Sequence, residues 1–142
     1  MADDRLARFR SAQAGVHESA VAELRAGRKV GHWMWFEFPQ LIGLGRSEVS
    51  RFYGVASLDE AIAFLADPVL GGRLREAAGA ALASPGRTSE EIFGSIDAMK
   101  LRSSMTLFHR AAPGEPVFRQ VLERFYGGRA DEATDELLGG PS

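Results

Sequence analysis

A chain of 142 residues, 45% of them hydrophobic, has the size and apolar content of one ordinary domain with a single continuous core. Its 17 basic and 19 acidic residues leave a net charge of −2, which argues against a general attraction to phosphate backbones or anionic membranes, so neither is an expected partner. With no cysteine, disulfides, thiolate catalysis, zinc ribbons and iron–sulfur clusters drop out together.

The chain opens Met-Ala-Asp-Asp without the apolar stretch of a signal peptide, and no later run approaches the roughly 18 apolar residues of a membrane span, so a cytoplasmic location is expected. From Asp4 to Arg28, the residues Leu6, Phe9, Gln13, Val16, Ala20, Val21 and Leu24 recur at three- and four-residue spacing, the stripe of an amphipathic helix that Gly27 ends. Gln13 on that stripe requires partners for its amide. Gly15 beside it costs about 1 kcal/mol of helix propensity relative to alanine and predicts a break near Ala14-Gly15.

The densest chemistry follows, in His32-Trp33-Met34-Trp35-Phe36-Glu37-Phe38-Pro39-Gln40, with both tryptophans of the chain. Its composition favours a strand, but no second β-branched alternating run exists to satisfy a strand's backbone groups, so context predicts helix. Pro39 disfavours helical geometry at Phe38, and the chain then enters the loop Leu41-Ile42-Gly43-Leu44-Gly45.

Ser47 caps a short helix through Tyr53, and Ser57-Leu58-Asp59-Glu60 has capping-box spacing ahead of Ala61, Ile62, Phe64 and Leu65. Asp67-Pro68 opens a helix whose inner face reads Val69, Leu70, Leu74, Ala77, Ala78, Ala81 and Leu82, stopping near Ser84-Pro85-Gly86. Thr88 to Phe93 reads as a helical turn ended by Gly94. A helix from about Asp97 to His109 comes next, and Val117, Phe118, Val121, Leu122, Phe125 and Tyr126 form the last strong stripe before Gly127-Gly128. The tail, with Leu137 and Leu138, adds one turn and then frays. The expected architecture is all-α: one globule over residues 1–142, built of six or seven short helices too uneven in length for a simple four-helix bundle.

His17, His32 and His109 lack metal-ligand spacing, no G-x-S-x-G elbow occurs, and no metal or cofactor is expected. Gly43-Leu44-Gly45-Arg46-Ser47-Glu48 begins like a dinucleotide loop but has Glu48 where the third glycine belongs and follows no strand. What survives is Arg46 with free N–H groups at the start of the next helix, able to hold an anion, against the plainer reading of a turn and a capped helix. His32 is either a general acid or base desolvated by aromatics or a structural histidine bonded to backbone. Trp33 and Trp35 stand about 200° apart on a helix, so both cannot face one pocket. Glu37 either pairs with Lys100 or Arg102 or looks outward. In Lys100-Leu101-Arg102-Ser103-Ser104-Met105-Thr106, a Ser–Lys arrangement of Lys100 with Ser103 or Ser104 can support nucleophilic catalysis, while the plainer reading has Asp97 pairing weakly with Lys100 and the serines bonding to the preceding turn.

Those blocks, together with Gly27-Arg28-Lys29, Leu44-Gly45-Arg46-Ser47 and Ile92-Phe93-Gly94, resemble the bacterial family called domain of unknown function 1810. The resemblance spans about residues 6–128, leaving 129–142 as a tail. It implies an all-helical, single-domain cytoplasmic protein with no assigned activity; members are sometimes labelled calpastatin, which nothing in this sequence supports. Glu37 stands where an apolar residue is expected from the resemblance.

The functional expectation is a small-molecule binding or enzymatic module for an anionic or nucleotide-like metabolite. Its site lies between the aromatic segment and the Lys100 helix. His32 and Lys100 serve as polar anchors, Gln40, Ser103 and Ser104 as hydrogen-bonding groups, Trp33 as a flat wall, and Arg46 as an anion contact. His32, Lys100 and Ser104 are the catalytic candidates should chemistry occur. The alternative is a non-catalytic structural or interaction protein, a monomer or weak homodimer, in which the same polar groups lock the core.

Overall fold

The computed structural model describes residues 4–139. The expected first helix is two, α1 (Ala7–Gln13) and α2 (His17–Ala26), because Gly15 takes a left-handed φ of 77° that turns the chain between them. Gly27, at φ 89°, closes α2 by offering its N–H to the carbonyls of Glu23 and Leu24. The aromatic segment contributes a single turn, α3 (Met34–Glu37), with Phe38 already outside it. Ser47 caps α4 (Glu48–Phe52) and Ser57 caps α5 (Leu58–Ala66), each hydroxyl accepting a backbone N–H three residues on. Asp67 receives the N–H groups of Val69 and Leu70 and launches α6 (Leu70–Leu82).

Thr88 and Glu91 form a reciprocal capping box at α7 (Ser89–Phe93), followed by α8 (Ser95–Ala111), α9 (Pro116–Tyr126) and α10 (Glu132–Leu137). The chain is thus all-helical, with ten helices among the described residues rather than six or seven. The excess comes from the split of the first helix at Gly15 and from α3, α4, α7 and α10, pieces of one or two turns that each stood in the sequence as a turn or short helix and form separate helices here. Among the described residues no strand forms. A lone bridge joins Leu41 to Val55, with Ile42 N–H donating to Val55 O at 2.8 Å and Val55 N–H to Gln40 O at 2.9 Å.

The central element is α8, which packs against α5, α7, α9 and α10 and is buried continuously from Ser103 to Phe108. Around it α6 bridges α2, α5 and α9. A chain of rings runs through the interior from Phe9 to Phe64 at 5.2 Å, Phe64 to Phe108 at 5.3 Å and Phe108 to Phe118 at 6.0 Å between centroids. The fraying expected beyond residue 128 does not extend over 129–139: Arg102 donates to the carbonyls of Arg129 and Ala130, and Asp131 N–H to Thr106 Oγ1. Residues 140–142 lie outside the described residues. No helix among the described residues is long and apolar enough to cross a membrane.

Glu23 holds the approach to the aromatic segment. Its Oε1 accepts from Val30 N–H at 2.6 Å, Gly31 N–H at 2.8 Å and the Trp33 indole at 3.0 Å. Burial pushes the carboxyl up, but these hydrogen bonds and the nearby Lys29 outweigh it and hold it below its ordinary value. A carboxyl lowered on folding stabilises the fold fully above its unfolded value, and that contribution is lost as pH falls through the native value. Glu23→Gln is therefore expected to lose about 1–2 kcal/mol at pH 7 by urea unfolding, with the difference from wild type shrinking steadily on acidification below pH 4.5. A difference independent of pH would show that shape, not charge, holds the segment.

Candidate functional site

Where α3 and the loop after it face α8, a cleft of about 290 Å³ opens. Trp35, Gln40, Leu44 and Gly45 form one side, Met99, Lys100 and Ser103 of α8 the other, and Asp131 at the start of α10 closes the end. Gly45 is required here by close approach, since a Cβ would lie 2.7 Å from Ser50 Cβ. The Lys100 ammonium rests 3.6 Å from the Trp35 ring centroid, a cation–π contact, and 3.4 Å from Asp97 Oδ1. Asp97 is shared with Lys29, whose Nζ lies 2.9 Å from the other carboxylate oxygen. Ser103 Oγ lies 3.0 Å from Asp131 Oδ2, which also caps α10 through Thr134. Gln40 is only 9% exposed, and its amide, which makes no side-chain hydrogen bond among the described residues, is not sealed but borders the cleft.

Gln40, Lys100 and Ser103 thus share one cleft, but the other expected residues do not join them. His32 is exposed in the bend before α3 and does not line the cleft. Trp33 is not a wall: it is sealed in the core against Phe38 and Phe93 with its indole spent on Glu23, and Trp35 on the opposite side of the turn lines the cleft instead. Ser104 faces the core, fully buried and without a hydrogen-bond partner among the described residues, so it cannot be reached from the cleft. Arg46 is exposed in the loop and is not part of the lining. Arg102 is spent on the 129–130 carbonyls, so the Lys100 block divides between cleft and clasp.

Glu37 pairs with neither Lys100 nor Arg102. Its sealed carboxylate lies 2.7 Å from Nδ1 of His17, and Nε2 of the same ring lies 2.6 Å from Glu76 Oε1. Burial pushes the Glu37 carboxyl up, with the hydrogen bond and charge of His17 opposing. A second cleft of about 500 Å³ opens beside this cluster, lined by Gln13, His17, Arg73 and Glu76 among others. Gln13 finds the partners that its place on the apolar stripe demanded, donating to Phe36 O at 2.7 Å and accepting from Arg73 at 3.4 Å. The sequence carried only half of this signal: Gln13 on the apolar stripe demanded partners, but His17 lies beyond the turn at Gly15, and its meeting with Glu37 and Glu76 is not written in the local spacing. Among the described residues no group of three or more histidine or acidic side chains is arranged to hold a metal ion.

Comparison with known proteins returns one fold with high similarity. The crystal structure of the conserved hypothetical protein Rv1873 from Mycobacterium tuberculosis at 1.38 Å is 52% identical to this chain, superposes with a TM-score of 0.92, and the match covers 96% of this chain and 97% of that one. A search of curated proteins gives no match. The family model described as "Protein of unknown function (DUF1810)" matches residues 3–138, and the chain belongs to that family.

Proposed function

We propose that the protein is a binding module for a small metabolite, seated in the cleft between α3 and α8. The observation that carries this reading is Gln40. The Gln40 side chain makes no hydrogen bond among the described residues and borders the cleft beside Lys100 and Asp131, so its amide donor and acceptor are open to whatever fills that space. Lys100 supplies charge for an anionic or strongly accepting group, Asp131 accepts from a donor, Gln40 orients the ligand, and Trp35, Leu44 and Met99 receive its apolar part. A volume of about 290 Å³ stands at the lower end of the range of small-molecule clefts. Binding is favoured over nucleophilic chemistry because Ser104 is turned into the core and the Ser103 hydroxyl is engaged by Asp131 and the Met99 carbonyl.

The rival reading, a polar lock with no ligand, accounts for Arg102 and Thr106, which clasp residues 129–131, but leaves Gln40 unexplained. Lys100→Met separates the two. The lysine is partly exposed and its ion pair with Asp97 is long, so the variant is expected to keep its stability within about 1 kcal/mol. In a thermal-shift screen against a metabolite library, compounds that stabilise the wild type should lose at least about tenfold in affinity for Lys100→Met. A loss of several kcal/mol in the unliganded variant, or hits that bind both proteins equally, would replace the binding reading with the lock.

A further inference from the structure

The cluster on the other side of α3 has no part in the reading above, and it sets an imidazole between a sealed carboxylate and an exposed one at the edge of a second cleft. The His17 ring is fixed from behind by Glu37, whose side chain is fully buried and whose Oε2 has no hydrogen-bond partner among the described residues. A carboxylate placed there at such a desolvation cost orients the imidazole and fixes which way its second nitrogen points. That second nitrogen faces the cleft and meets Glu76 Oε1 at 2.6 Å. With a carboxylate against each ring nitrogen, a proton lies on the line between Nε2 and Glu76.

The two carboxylates are not equivalent. Glu37 cannot leave, whereas the Glu76 side chain is 50% exposed and water is ready to solvate it. One turn back along α6, Arg73 lines the same cleft, and its one hydrogen bond among the described residues is the long contact of 3.4 Å to Gln13 Oε1. A guanidinium presents five N–H donors in a fork that matches a carboxylate, so most of its donor capacity is open to a ligand.

We infer that this cleft is a second ligand site, taking a small carboxylate that displaces Glu76 from His17 Nε2 and is held at the same time by Arg73. Glu76 acts as a tethered stand-in for the ligand's carboxylate: the exchange replaces one carboxylate on the imidazole by another and adds the guanidinium contact that Glu76 does not make.

The test uses acetate as the probe, titrated at constant ionic strength against chloride, and follows the ring nitrogens of His17 by NMR in the full chain. Glu76→Gln removes the competing charge at a half-exposed position, and acetate is expected to bind it about tenfold more tightly than wild type. Glu76→Ala should do the same. Adding Arg73→Met to Glu76→Gln should abolish the gain, with the His17–Glu37 pair still visible in the spectrum. Equal acetate response in wild type and both Glu76 variants would overturn the proposal. So would a response that survives Arg73→Met, because that would reduce the effect to nonspecific screening of the imidazole.

Discussion

Phe108→Ala is expected to remove about 3–5 kcal/mol from the stability of the folded chain, enough to leave a domain of ordinary stability close to unfolding at 25 °C. Phe108 is fully buried in the last turn of α8 and joins the rings of Phe64, on α5, and Phe118, on α9. Truncation removes the contact that three helices share and opens a void that none of them can fill without moving its neighbours. Urea unfolding followed by far-UV circular dichroism measures this directly, as a lower midpoint with an unchanged slope. A loss of under about 1 kcal/mol would show that the interior closes around the gap and that α8 is not the keystone described above.

Arg124→Met is expected to cost about 2–4 kcal/mol, although it removes no ion pair. The guanidinium donates to four carbonyl oxygens in one stretch of chain: Ala81 at 3.1 Å, Leu82 at 2.6 Å, Ser84 at 2.8 Å and Gly86 at 2.7 Å. Those carbonyls belong to the end of α6 and the loop that leaves it, of which Ala81 O also takes the Ser84 N–H, so one side chain from α9 does the work of a helix cap and a turn together. Arg124→Lys should recover less than half of the loss, because an ammonium on a flexible stem cannot present a planar fork to four acceptors. Full recovery with lysine, measured by thermal unfolding, would reduce the interaction to charge alone.

Arg124 also marks the limit of what was legible beforehand. Ser47, Ser57, Asp67, Thr88, Gly27 and Gly127 place helix ends within a residue or two, because capping acts over three or four residues and is written in the local sequence. The partners of Arg124 lie about forty residues away and those of His17 twenty and fifty-nine away, and nothing in the spacing of a chain announces such meetings. Trp33 and Trp35 fail for a different reason. Their separation correctly required that only one face a pocket, but a four-residue helix has no repeat from which its phase can be read, so the choice between them rested on neighbours not yet placed. Glu37 was misjudged because its partner came from His17 at the start of α2, while the visible cations lay on α8.

The seam between Gln40 and Val55 sets the order in which this protein opens. Among the described residues two main-chain bonds close the excursion from Leu41 to Gly54, Arg8 donates to the carbonyls of Phe52 and Gly54, and Tyr53 packs on Phe9 and Phe36. So few bonds make it a unit that detaches while the α5–α6–α8–α9 interior stays closed, and amide exchange at Ile42 and Val55 should run ahead of exchange at Met105 or Phe108. Because the same excursion carries Leu44 and Gly45 and is closed at Gln40, its opening is also the unlatching of one wall of the cleft, and a molecule lodged there would be registered first as slower exchange at those two amides.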